Sequence, residues 1–288
     1  MKKMIRIAAM LLIVGVTSNA IAQELPQPSP KAKVEQRIGL TDVTVEYSRP
    51  SVKGREIFGK LVPDDKLWRA GANKNTLITF TDDVKVGGQA IVAGTYSMFV
   101  IPSTTNPEWT VIFNSEIDGW GDGKYDKAND VLTVGAEPKN IVKQESMQFS
   151  FDNLKDNSGD LILSWDKKAI VLSIEVDVEK KAWKNIKNAM AQATDKNKAS
   201  VYRNAAKYTA SSKKKLKEGL GWINESIKAK EYWYSYWVKA DVQHAMGDNA
   251  GAIESAKKAI ELGEAGAKEK GKPFGYKENL EKAMAEYK

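Results

Sequence analysis

The sequence predicts an α+β protein of two domains, an antiparallel β-sandwich or jelly roll followed by an α-helical repeat unit. Apolar residues alternate with polar ones in the first part of the chain, recur at helical spacing after residue 180, and the net charge changes sign at the same place. The 288 residues suffice for two domains of ordinary size. The predicted division is a signal peptide at 1–22, a linker at 23–33, a β domain at 34–179 and a helical domain at 180–288.

The start of the chain has the pattern of a secretory signal peptide. Three basic residues precede an apolar run from Ile7 to Val16, and small residues at Ala20 and Ala22 suit cleavage before Gln23. The run is shorter than the roughly 20 residues that span a bilayer. We therefore predict an exported protein, periplasmic or secreted, with no transmembrane segment in the mature chain.

The composition excludes several kinds of site. The sequence has no cysteine and one histidine, His244, which excludes disulfides, thiolate metal sites and multi-histidine metal sites. A serine–histidine–aspartate triad would have to use His244, and no nucleophile elbow lies near it in sequence. We predict no metal and no cofactor.

The two parts of the mature chain carry opposite net charge. Residues 23–179 hold 18 Lys and Arg against 24 Asp and Glu, a net −6, whereas residues 180–288 hold 23 against 13, a net +10. The basic residues of the second part are spread along its helices, with one tight cluster at 213–215, so we predict no nucleic-acid partner. Attraction to an acidic polysaccharide, an anionic lipid or the β domain fits this charge better.

The β domain is predicted from a series of short alternating segments separated by turn residues. Val43, Val45 and Tyr47 alternate with polar residues, as in a half-buried strand. Turns follow at Gly87-Gly88 and Asp166-Lys167. The predicted strands are residues 43–47, 76–80, 84–86, 95–101, 109–114, 131–134, 147–151, 161–165 and 169–178.

The helical domain contains a degenerate repeat. Gly219-Leu220 returns 33 residues later as Ala252-Ile253, and Gly247-Asp248 supplies a turn and a helix cap. Together with Ala259 and Ile260 this pattern resembles a tetratricopeptide repeat, in which small residues let two antiparallel helices approach. We predict about two repeats and a final helix near 276–287, with a generic helical bundle as the alternative.

Four segments of the β part carry a distinctive set of motifs. They are YSRPSVKGREIFGKLVP at 47–63, WRAGAN at 68–73, AGTYSMFVIP at 93–102 and WTVIFN at 109–114. This set resembles the DUF2911 family, a group of exported bacterial proteins common in Bacteroidetes. The resemblance spans about residues 30–178 and implies a fold and a location, with no activity attached. A helical, repeat-like tail also occurs in members of that family.

The segment 49–73 is the best candidate for a ligand site, because it concentrates cations in an acidic domain. Guanidinium groups suit carboxylate, sulfate or phosphate, and a nearby tryptophan can stack on a sugar ring. The structural alternative is that the arginines bond loop carbonyls and acidic neighbours, with Trp68 in the core. The candidate ligand-binding residues are Arg49, Lys53, Arg55, Trp68, Arg69, Asn73 and Trp120.

Trp120 belongs to a glycine-rich loop at 118–126 that superficially resembles a calcium loop. Trp120 and Asn129 occupy positions where an EF-hand needs oxygen ligands and an acid, so we expect an aromatic-bearing loop at the edge of a pocket. The aromatic residues of the tail are expected to pack mainly between helices, with a minority lining a peptide groove. These are Trp222, Tyr232, Trp233, Tyr234, Tyr236 and Trp237.

The sequence thus favours an exported, non-catalytic binding or scaffolding protein. Its β domain would hold an anionic small molecule or a glycan, and its helices would dock a protein partner. The alternative is a hydrolase that uses a carboxylate acid/base pair in the same cleft, since the acidic domain offers many such pairs.

Overall fold

A computed structural model describes residues 25–287, and the predicted signal peptide lies outside this range. The described chain forms two compact units, and it passes from the first into the second for the last time at Glu175. The first unit contains the described residues up to Gln36, then Val43–Asn153 and Gly159–Ile174; the second contains Arg37–Asp42, Leu154–Ser158 and the residues from Glu175 onward.

The first unit is built from two antiparallel sheets. The six-stranded sheet has the order β1-β2-β3-β6-β7-β8 and the four-stranded sheet the order β5-β4-β10-β9. The antiparallel β structure predicted for this part is confirmed. The strands are β1 (Lys31–Ile38), β2 (Thr41–Ser48), β3 (Thr76–Phe80), β4 (Val84–Val86), β5 (Gln89–Ile91), β6 (Gly94–Ile101), β7 (Trp109–Asn114), β8 (Asp130–Ala136), β9 (Lys139–Asp152) and β10 (Ser158–Val176).

Four strands differ clearly from the sequence-based prediction. β5 lies outside the predicted strands, and β9 begins at Lys139 instead of residue 147. β1 begins at Lys31, so the end of the predicted linker 23–33 belongs to the first strand. β10 is one continuous strand where a turn was predicted at Asp166-Lys167. Asp166 has a φ of 50° and the register of β10 against β9 shifts on either side of it. Asp166 and Lys167 therefore form an irregularity within β10 and do not end the strand.

Aromatic side chains from both sheets meet in the core of the first unit. The rings of Tyr47 on β2 and Phe149 on β9 lie edge to face at 4.9 Å, and the Tyr47 hydroxyl accepts the Phe149 amide at 3.0 Å. Trp165 on β10 is 2% exposed and contacts Phe58 and Trp68. Burial of a side chain such as Phe149 contributes about 1.5–3 kcal/mol, whereas the indole N–H of Trp165 is buried with no hydrogen-bond partner among the described residues.

The C-terminal part of the second unit consists of six helices, which confirms its predicted helical character. α2 packs on α3 and α4 on α5, while α6 contacts α5. Among residues 25–287, no helix combines the length and the apolar character needed to cross a bilayer. The helices are α1 (Val178–Ala191), α2 (Lys198–Ser212), α3 (Leu216–Ala229), α4 (Trp233–Ala245), α5 (Asn249–Lys268) and α6 (Lys277–Glu286).

Small residues set the separation of α2 and α3. Gly219 on α3 is buried, and a Cβ atom placed there would overlap the hydroxyl of Thr209 on α2. Gly221, two residues along the same helix, is exposed and has open space around its Cα. The glycine at 219 is therefore required for packing, whereas the glycine at 221 is not.

This difference gives a matched pair of variants. Gly219→Ala should destabilise the helical unit by about 1–3 kcal/mol because the added methyl forces α2 and α3 apart. Gly221→Ala should stabilise it by about 0.5–1 kcal/mol, since alanine is the better helix former. Urea denaturation followed by circular dichroism at 222 nm measures both. Equal effects of the two substitutions would contradict the packing described here.

Candidate functional site

The seven candidate residues do not converge on one site. Three of them lie beside β9, Trp68 lies between the two sheets, and the others surround the segment Asp118–Gly123, which we call the glycine loop. The residues beside β9 are Arg49, Lys53 and Arg55, and those around the glycine loop are Arg69, Asn73 and Trp120.

Arg49 ties the end of β2 to β9. Its Nε donates to the Met147 carbonyl at 2.8 Å and its Nη2 to the Gln148 side-chain oxygen at 3.4 Å. The Pro50 carbonyl accepts a hydrogen bond from the Met147 amide at 2.9 Å, so the backbone next to Arg49 also pairs with β9. A half-buried guanidinium that satisfies a strand carbonyl has a structural role.

Lys53 and Arg55 hold the turn that follows. The Arg55 guanidinium donates to the carbonyls of Val52 and Ser51 at 3.0 and 2.6 Å, although its side chain is exposed. The Lys53 amide donates to Glu145 at 2.8 Å. The geometry at Arg49 and Arg55 therefore favours a structural role, in which the arginines bond main-chain carbonyls, over a role in ligand binding.

Trp68 is anchored at its backbone and packed at its ring. Its amide and carbonyl exchange hydrogen bonds of 2.8 and 2.7 Å with Val100 on β6. Its ring stacks on Trp165 with centroids 5.8 Å apart and an interplanar angle of 22°, and its indole N–H donates to the Gly71 carbonyl at 3.2 Å. The ring therefore belongs to the core between the sheets.

Arg69 faces the opposite side of the six-stranded sheet. Successive side chains of an extended segment point to opposite faces, so Trp68 on the inner face places Arg69 on the outer one. There its Nη1 lies 3.0 Å from the position that a Cβ of Gly121 would take. Arg69 Nε is buried and has no hydrogen-bond partner among the described residues.

Asn75 is a second polar residue at this place and was not among the predicted site residues. Its side chain is 6% exposed, and its Nδ2 donates to the Ser97 hydroxyl at 3.1 Å. Its Oδ1 is buried without a partner among residues 25–287. A Cβ on Gly119 would overlap the Asn75 amide, so the glycine loop passes directly over it. No sequence motif distinguishes this asparagine from others that precede a strand.

The glycine loop is attached by few contacts. The backbone amide of Asn75 donates to the Gly119 carbonyl, and the backbone amide of Gly121 donates to the Asn73 carbonyl, each at 3.2 Å. Gly121 has a φ of 76°, which a residue with a side chain rarely adopts. Trp120 between the two glycines is 65% exposed. The loop thus presents an aromatic ring to solvent above two buried, unpartnered polar atoms.

A polar network supports the loop from below. The Ser97 hydroxyl donates to the Glu116 carbonyl at 2.6 Å, and the Glu116 amide donates to Asn114 Oδ1 at 2.9 Å. Asn114 and Tyr125 each donate to Asp130 at 2.8 Å. Burial and then the hydrogen bond to Asp130 raise the pKa of Tyr125 to about 12, so its hydroxyl remains a donor at neutral pH.

Two carboxylates beside the loop, those of Asp130 and Glu116, are engaged in this support. Both oxygens of Asp130 accept hydrogen bonds, and Glu116 Oε1 accepts the Asp118 amide at 2.9 Å. Within the described chain, no group of three or more His, Asp or Glu side chains is arranged to hold a metal ion. The arrangement offers hydrogen bonding and an aromatic surface, the chemistry of binding.

The two arginines beside β9 should differ in their effect on stability. Arg49→Ala leaves the Met147 carbonyl without its partner and should cost about 1–3 kcal/mol of unfolding free energy. Arg55→Ala, at an exposed turn, should change it by about 0.5 kcal/mol or less. Hydrogen–deuterium exchange of the β9 amides under native conditions measures the unfolding free energy of the first unit. A larger loss for Arg55→Ala than for Arg49→Ala would show that these roles are misassigned.

Comparison with known proteins identifies the family of the β part. Residues 29–174, just over half of the chain, match the family described as Protein of unknown function (DUF2911). No curated protein and no solved structure matches the chain. The match covers β1–β9, most of β10 and the whole glycine loop, and it confirms the resemblance drawn from the motifs at 47–114. The chain therefore belongs to the DUF2911 family.

Proposed function

We propose that this protein is a non-catalytic binding protein whose β part holds a carbohydrate at the glycine loop. One observation carries the proposal: a buried donor, Arg69 Nε, and a buried acceptor, Asn75 Oδ1, have no partner among the described residues and both adjoin Gly119–Gly121. Each such group costs about 1–3 kcal/mol when left unsatisfied. Polar groups of this kind in a native fold call for a specific explanation, and a ligand is one.

The pairing of a donor with an acceptor selects the class of ligand. A carboxylate or sulfate anion accepts from Arg69 but has no proton to give to Asn75 at neutral pH. A sugar hydroxyl both donates and accepts, so neighbouring hydroxyls satisfy both atoms. A carbohydrate, neutral or carrying an anionic group, therefore fits better than a simple anion.

The exposed ring of Trp120 supports the same class. Aromatic side chains at binding sites combine a flat apolar face with little conformational freedom to lose. Trp120 lies on the loop that covers Asn75. A ligand that reaches Asn75 must therefore displace this loop, and the Trp120 ring moves with it. Two backbone hydrogen bonds of 3.2 Å are the tethers that must yield for the loop to lift.

The rest of the chain fits a binding protein that docks a partner. We interpret the two sheets, whose aromatic side chains meet, as a β-sandwich, and the α2–α3 and α4–α5 pairs as two tetratricopeptide-like units with α6 as a cap. The basic helical part then serves as a docking surface. The leader pattern at 1–22 supports an exported, periplasmic or secreted location.

Binding should depend on Arg69 and Trp120. In a thermal-shift screen of oligosaccharides, inorganic phosphate and sulfate, an oligosaccharide should raise the melting temperature by mass action. Titration calorimetry of that sugar should show affinity weakened about tenfold or more by Arg69→Gln and by Trp120→Ala. Arg55→Gln is the matched control, because Arg55 is an arginine of the same segment bonded to its own turn.

The outcomes of this screen are distinct. Binding of phosphate or sulfate with no sugar bound would replace the carbohydrate by a simple anion. Equal loss of affinity in Arg55→Gln and Arg69→Gln would remove the glycine loop from the site. No response to any compound would contradict a small-molecule site in the β part.

Export has its own test. Expressed with its complete sequence in a bacterial host, the protein should appear outside the cytoplasm with Gln23 as its first residue, because Ala20 and Ala22 suit signal peptidase. N-terminal sequencing of the periplasmic and medium fractions measures this. Replacing Ala22 with a bulky residue should block processing, and an uncleaved chain in the cytoplasm of the unaltered protein would contradict export.

A further inference from the structure

A cation lies between two tyrosine rings on the helical part. The Arg203 guanidinium carbon on α2 is 5.5 Å from the centre of the Tyr232 ring and 5.4 Å from that of Tyr234. One helical turn further, Lys207 donates to the Tyr234 hydroxyl at 2.9 Å. We call these four residues the cation–tyrosine cluster.

Neither cation of this cluster forms a direct ion pair within the described chain. Arg203 Nε is buried with no hydrogen-bond partner in residues 25–287. None of the ion pairs between described residues involves Arg203 or Lys207. On the same helix Lys198 also lies over a tyrosine ring, but it pairs with Glu225 at 3.2 Å. Within the described residues the Arg203 guanidinium thus has no direct acidic partner, and the charge of Lys207 is opposed by the Asp241 carboxylate without a direct ion pair.

A row of aromatic rings continues from the cluster. Centroid distances are 5.6 Å from Tyr232 to Trp233 and 5.1 Å from Trp233 to Tyr276, where the last two rings stack at 28°. Tyr232 is 40% exposed and Tyr276 is 53% exposed. The row thus joins two unpaired cations to ring surfaces that protrude into solvent.

We propose that the cation–tyrosine cluster and the ring of Tyr276 form a binding site for an acidic carbohydrate. A carboxylate of the carbohydrate accepts from the Arg203 guanidinium and the Lys207 ammonium, which supplies the charge-assisted bonds that these groups lack. Its sugar rings lie against the exposed tyrosine faces, and the phenolic hydroxyls bond to sugar hydroxyls.

The surface favours a carbohydrate over a peptide segment. A docked peptide helix places apolar side chains in a hydrophobic groove, whereas the rings here protrude and carry hydroxyl groups. The charge of the segment 180–288, a net +10, concentrates an acidic polymer near it. This inference rests on the proposed docking role of the helices and is independent of the glycine loop.

Trigalacturonate is a suitable probe, because it combines three pyranose rings with three carboxylates. Titration calorimetry of the complete protein should show binding that weakens with salt and is lost with the methyl-esterified trimer, which keeps the rings and removes the charge. Affinity should fall about tenfold or more in Arg203→Gln and in Tyr276→Ala. Lys198→Gln, the paired cation of the same helix, should retain the original affinity.

Controls separate this site from folding and from the glycine loop. Lys207→Gln alters an exposed side chain and should weaken binding even if Arg203→Gln disturbs the helices, whose content circular dichroism monitors. Arg69→Gln should leave trigalacturonate binding at the helices unchanged.

Several results would overturn the proposal. Undetectable binding of trigalacturonate, equal binding of the methyl ester, or equal weakening by Lys198→Gln each removes the acidic-carbohydrate site. Binding of a glutamate-rich peptide that depends on Arg203, with no binding of trigalacturonate, would assign the surface to a protein partner and leave the docking role of the helices in place. Loss of binding in Arg69→Gln alone would place the ligand at the glycine loop.

Discussion

Two backbone hydrogen bonds between Trp68 and Val100 determine which residues of the 49–75 segment can meet a ligand. They hold the segment extended against β6, and extended backbone sends neighbouring side chains to opposite faces. Trp68 therefore packs on Trp165 in the core, while Arg69 lies under the glycine loop. The aromatic core on one face and the candidate site on the other both follow from this pairing.

The arginines of this segment divide into two roles by their partners. Arg49 donates to a main-chain carbonyl of β9 and stabilises the connection between β2 and β9, whereas Arg55 donates to the carbonyls of its own turn. Arg69 is half-buried against Gly121, and its Nε finds no acceptor in the described chain. A guanidinium already bound to the backbone offers little to a ligand, whereas one with an unsatisfied donor has a bond still to make. The candidate site therefore excludes Arg49 and Arg55 and is smaller than the cationic segment 49–73 predicted from the sequence.

The sequence could predict the elements but not these partners. Alternation predicted β2, β3, β6 and β7 because half-buried strands repeat every two residues. The acceptor of Arg49 lies 98 residues away along the chain, and no local pattern reveals such a contact. Asn75 was not predicted as a site residue for the same reason, since its role depends on contacts with Gly119 and Ser97 in distant segments of the chain. The turn predicted at Asp166 is instead an irregularity inside β10, because the pairing of β10 with β9 continues on both sides of that residue.

In the proposed complex, Arg69 and Asn75 make their missing hydrogen bonds to a sugar. Side-chain ¹⁵N NMR measures this most directly, because the Nε–H signals of Arg69 and Arg49 can be followed in one titration with the oligosaccharide selected by calorimetry. We expect the Arg69 Nε–H signal and the signals of the Asn75 side-chain amide to shift and saturate together while the Arg49 signal stays in place. An unmoved Arg69 signal at saturating sugar, or equal movement of Arg49, would contradict it.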